Sequence, residues 1–122
     1  IVKKISNFYV FLIIIVMAEN CFINFMESVN KFSSEDRNEI SKSFREDIKA
    51  YKVSGAIMNV VESNSEKVPV YVNVLCQQCR KKKFAEEFKK ECNRLRRLYL
   101  RTRPEVADKI RFLHEVVMDS LK

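Results

Sequence analysis

The chain has one glycine, two prolines, one histidine and no tryptophan in 122 residues. With Gly55 as the sole glycine, no glycine-rich phosphate loop can be built, which sets nucleotide hydrolysis in this segment aside. The same shortage of turn-makers argues against hairpin-rich β architectures. His114 stands alone, with no motif supplying a nucleophile and an orienting partner. The chain therefore reads as a non-enzyme, with no catalytic residue and no cofactor expected.

What is present suits a single helical domain. Hydrophobic residues make up 47% of the chain and charged residues 32%, enough for a packed core under a solvated surface. At this size about 60–70% of the unfolded surface can be buried, so neither metal nor disulfide is needed for folding. The net charge of +7 is uneven: Arg80 to Arg103 holds 11 Lys/Arg against Glu86, Glu87 and Glu91, leaving the remainder at −1. An acidic cluster lies at Glu35, Asp36, Glu39, Glu46 and Asp47. Paired basic and acidic segments suit a complementary protein surface, and the basic part alone suits nucleic acid.

Cys21, Cys76, Cys79 and Cys92 form an even count, which in a secreted chain suggests two disulfides. Cys76 and Cys79, however, lie one turn apart on a helix face shared with Val72 and Leu75, as buried free thiols would. Cys76-x-x-Cys79 with Cys92 and His114 spells a three-cysteine, one-histidine zinc set. The spacing is loose and the positions share faces with Val, Leu and Phe, so the metal assignment is none. A redox pair is not favoured either, because the βαβ setting of such pairs is lacking.

Residues 8–18 (FYVFLIIIVMA) are the strongest hydrophobic run and follow Lys3 and Lys4. They read in three ways: a secretory leader, a buried first helix, or a spurious extension ahead of Met17. The run is too short to cross a bilayer core of about 30 Å, so no stable membrane span is expected. The divisions are 1–18 for this segment, 19–101 for the main domain, and 102–122 for a sixth helix or the start of a following domain.

Helical periodicity recurs six times. Phe22, Phe25, Met26 and Val29 mark a first stripe over Asn20 to Lys31. Ser33, with Asp36 three residues on, starts a second helix carrying Ile40, Phe44 and Ile48. Val53, Ala56, Ile57, Val60 and Val61 mark a third between Tyr51 and Glu62, before a polar turn at Asn64-Ser65-Glu66. Pro69 opens a fourth, with Val72, Leu75, Cys76 and Cys79 inward and Arg80-Lys81-Lys82-Lys83 placed at its C-terminus to complement the dipole. Phe84, Phe88, Cys92 and Leu95 line a fifth. Thr102-Arg103-Pro104-Glu105 caps a sixth bearing Val106, Ile110, Leu113, Val117 and Leu121. Short connections imply antiparallel neighbours, so a compact all-α six-helix bundle is expected. In Arg94-Leu95-Arg96-Arg97-Leu98-Tyr99-Leu100-Arg101 basic and apolar residues interleave; Leu95, Leu98 and Tyr99 are expected to pack inward under solvated arginines.

Four segments together resemble a caspase recruitment domain of the death-fold superfamily, most of all the tandem domains of the cytosolic viral-RNA-sensing helicases. They are Glu35-Asp36-Arg37-Asn38-Glu39-Ile40, Ser54-Gly55-Ala56, Val72-Asn73-Val74-Leu75-Cys76-Gln77-Gln78 and Phe84-Ala85-Glu86-Glu87-Phe88. The likeness covers about residues 20–95 and is one of spacing and residue type. Two departures stand out: Val70 or Tyr71 occupies the place of a Trp or Phe, and Lys81-Lys82-Lys83 that of a Gly-bearing turn. Arg103 to Ile110 looks like the start of helix one of a following recruitment domain, or is this domain's own sixth helix.

The resemblance implies a death-fold bundle acting without catalysis, through homotypic contacts that assemble signalling complexes in innate immunity or apoptosis. Its partner is another recruitment domain, and growth is into an oligomer or filament. The implied acidic face is Glu35, Asp36, Glu39 and Asp47; the basic face is Arg80, Lys81, Lys82, Lys83, Lys89 and Lys90. A cytoplasmic location follows, or a secreted one if residues 1–18 are a signal peptide. Two rival readings stay open: a secreted helical protein with two disulfides, and a basic nucleic-acid-binding helical bundle, with nucleic acid the less favoured partner.

Overall fold

The computed structural model describes residues 29–63 and 65–122. The hydrophobic segment 8–18, Cys21 and the stripe of Phe22, Phe25 and Met26 lie outside the described residues. The rest is all-helical: α1 (Ser34–Glu62), α2 (Val68–Gln78), α3 (Lys82–Tyr99) and α4 (Pro104–Asp119). No described helix is long and apolar enough to cross a membrane.

Six helices were expected, and the described residues form four. The second and third expected helices are joined in α1, and their separation shrinks to a single residue, Lys52, at φ 65° and ψ −179°. That conformation is sterically open to glycine and strained for any other residue. It bends α1 so that Phe44 from its first half and Val53, Ala56, Ile57, Val60 and Val61 from its second share one core. The chain's one glycine is placed by the same bend: a Cβ on Gly55 would lie 2.6 Å from the Cβ of Tyr51.

Ser33 caps α1 as its sequence suggests, its Oγ accepting the Asp36 N–H at 3.1 Å. Glu35 and Asp36 in that first turn complement the positive end of the dipole. Pro69 and Pro104 sit in the first turns of α2 and α4, where a missing N–H leaves nothing unpaired. Thr102 does not cap α4; Arg103 holds that position without a side-chain bond.

The core is one cluster to which every helix contributes, and no polar or charged residue is buried among those described. α2 is the most evenly apolar helix: Val70, Val72, Val74, Leu75 and Cys76 are all buried. Phe44, fully buried, stacks on Tyr71 with centroids 4.5 Å apart. α3 packs most extensively on α4, and α1 touches all three other helices. α2 and α3 make little contact despite the short turn between them, so there sequence neighbours do not pair. Leu121, expected inward, lies beyond the end of α4 and is exposed.

Candidate functional site

The acidic residues divide. Glu35, Asp36 and Glu39 lie exposed over the first turns of α1. Asp36 and Glu39 border an open hollow of about 470 Å³ with Phe32, Ile40, Ser43 and Lys67. Asp47 does not join them. It lies about 16 Å along the helix from Asp36 by residue count and borders another hollow with Tyr51, Gly55 and Asn59. There its charge reinforces burial in pushing the Tyr71 phenol pKa up.

The basic residues are all exposed, but not where helix-end stabilisation would put them. α2 ends at Gln78, so Arg80 and Lys81 occupy the turn. Lys82 and Lys83 form the first turn of α3, whose N-cap Lys81 makes no side-chain cap bond. Cations at a helix N-terminus oppose the dipole instead of complementing it. This turn is thus a concentration of positive potential held against local helix stability. Lys89 and Lys90 follow about 10 Å further along α3.

Sequence reasoning missed three cations. Lys42, Arg45 and Lys49, exposed on α1, border the same hollow as Lys81. Their spacing of three and four residues was the available signal, masked by reading the segment through its acids. It also misplaced a leucine: Leu98, expected inward, is 58% exposed, with Leu100 at 59%, while Leu95 is buried.

The buried titratable groups show no paired chemistry. Cys76, Cys79 and Cys92 are free and buried. Burial, aided by Cys76 beside Cys79 and by Cys79 beside Cys92, pushes Cys79 and Cys92 up to about 12, so neither is a thiolate at neutral pH. Among the described residues no group of three or more His, Cys, Asp or Glu is arranged to hold a metal ion. His114 packs edge-on against Phe88 at 6.0 Å, and its buried Nε2 has no hydrogen-bond partner. Burial, then Lys89 and Arg96, hold its pKa down.

Compared with protein-family models, curated proteins and solved structures, the chain matches none of them. The reading of its function therefore rests on its own residues.

Proposed function

We propose that the chain is a non-catalytic protein-interaction module of death-fold, caspase-recruitment type, which assembles signalling complexes in innate immunity or apoptosis by homotypic contacts. The observation that carries this reading is charge placement on an all-helical bundle with no described polar or charged residue in its core. An acidic patch (Glu35, Asp36, Glu39) and a basic patch (Arg80, Lys81, Lys82, Lys83) share no residue. Surfaces of opposite sign at different places on one molecule pair head to tail and do not close, which is the geometry of a growing oligomer. Counting the halves of α1 on either side of Lys52 separately gives five of the six helices that such a bundle has.

The test is light scattering coupled to size exclusion over a range of concentrations. Arg80→Glu with Lys82→Glu is expected to abolish growth, as is Glu35→Lys with Asp36→Lys. Mixed, the two variants still offer one intact face each and are expected to form a dimer that cannot extend. Glutamate at position 82 also complements the α3 dipole, so melting should rise in the first variant, by about 0.3–1 kcal/mol in stability. Growth undiminished in both variants would overturn the reading.

A further inference from the structure

We propose that the hollow between α1 and the α2–α3 turn is a docking groove for an acidic segment of a partner polypeptide, anchored by an apolar side chain. Lys42, Arg45 and Lys49 stand on one face of α1, and Lys81 faces the same space of about 470 Å³ from the turn. All four are exposed, and none makes an ion pair with a described residue. Four unneutralised cations from two elements around one concavity favour a carboxylate-bearing occupant. Ile48 and Phe84 also border this space; both are half-buried and packed on the core, so each has apolar surface left to offer.

Three features select a polypeptide. The space is of ligand-binding size, and its apolar side is of no use to a bare phosphate. Glu46 borders it too, also without an ion pair to a described residue. A carboxylate there repels a dense polyanion but accepts the backbone N–H of an extended peptide. The site is concave, so a flat lipid surface cannot reach Ile48 and Phe84. This inference does not rest on the homotypic reading: Lys42, Arg45 and Lys49 lie outside the face proposed for assembly, Lys81 is the one residue common to both, and the occupant is a different polypeptide.

Fluorescence anisotropy on the full chain, at concentrations where it is monomeric, tests the groove. The probe is a short labelled peptide of alternating Glu and Leu; comparators are oligo-Glu, a Lys/Leu peptide and a single-stranded oligonucleotide. The Glu/Leu peptide is expected to bind best, and binding should weaken as salt rises from about 50 to about 300 mM. Lys42→Glu with Lys49→Glu should weaken it at least about tenfold, with helicity and melting checked in parallel. Glu46→Gln should tighten it about two- to fivefold, a gain that an unfolded variant cannot mimic. Lys109→Glu, on α4 and outside this groove, should leave it unchanged. Oligo-Glu binding as well as the Glu/Leu peptide, an oligonucleotide binding more tightly, or indifference to the α1 variants would each overturn the proposal. So would displacement of the peptide by self-association, which would give the groove to a second copy.

Discussion

Replacing Lys52 by glycine in the middle of a 29-residue helix is expected to stabilise the protein. Glycine in a helix interior ordinarily destabilises by about 0.5–1 kcal/mol relative to alanine, through the backbone freedom it loses on folding. Lys52, however, holds φ 65° and ψ −179°, a conformation whose strain in a residue bearing a Cβ is about 1–3 kcal/mol. Its side chain is exposed and makes no ion pair with a described residue, so truncation removes no contact to set against the relief. The difference spans about 0–2.5 kcal/mol, with a central net gain of about 1 kcal/mol. For a domain of this size the central gain corresponds to a rise in melting temperature of roughly 3–6 °C. Thermal and urea unfolding followed by helical circular dichroism measure it. Ala50→Gly, two residues away and also exposed, is the control and should destabilise by about 1 kcal/mol. Lys52→Ala should give no gain, since alanine keeps the Cβ. If Lys52→Gly loses as much stability as Ala50→Gly, residue 52 is ordinary helix and the account of the bend is wrong.

Three further outcomes follow from the same geometry. Gly55→Ala should destabilise by about 1–3 kcal/mol in urea unfolding despite the better helix propensity of alanine, because its Cβ meets the Tyr51 Cβ at 2.6 Å; a gain would refute the close approach. For His114 the folded-state pKa lies below the ordinary 6.5, so below that pH the unfolded state binds the extra proton. Stability is then whole above about 6.5 and falls as pH drops towards the lowered folded value, and His114→Phe should flatten this slope below pH about 6.5. Cys76, Cys79 and Cys92 should resist alkylation at neutral pH until the chain is unfolded in urea. Because Cys79 and Cys92 are raised to about 12, their contribution is present below about 9 and lost as pH rises towards 12; prompt native-state labelling of either would contradict their burial.

Local signals carried much of the architecture. The Ser33 cap, the prolines at 69 and 104 and the apolar stripes from Phe44 to Val117 act over a few residues, and each appears in the fold at its place. Burial around α2 was underestimated. Val70 and Val74 are buried outside the expected inward stripe of Val72, Leu75, Cys76 and Cys79, and the run from Val68 to Gln78 carries no charge at all. Which sides of so apolar a helix are covered is decided by the helices packed on it, here α1 and α4. The Lys81–Lys83 run, expected at the C-terminus of α2, opens α3 instead, because charge alone does not say to which of two abutting termini it belongs.

The sequence by itself determined the class, the Ser33 cap, the two helix-opening prolines and most of the core, because hydrophobic periodicity and capping are short-range effects written in consecutive residues. Tertiary structure alone decided the bend at Lys52, which no local propensity favours and which packing of both halves of α1 onto one core imposes. It also decided which charges meet. Lys81 stands 32 positions from Lys49 in the chain, and only the docking of α1 beside the α2–α3 turn sets them around one hollow. Charges interact through space, and their partners are chosen by the fold.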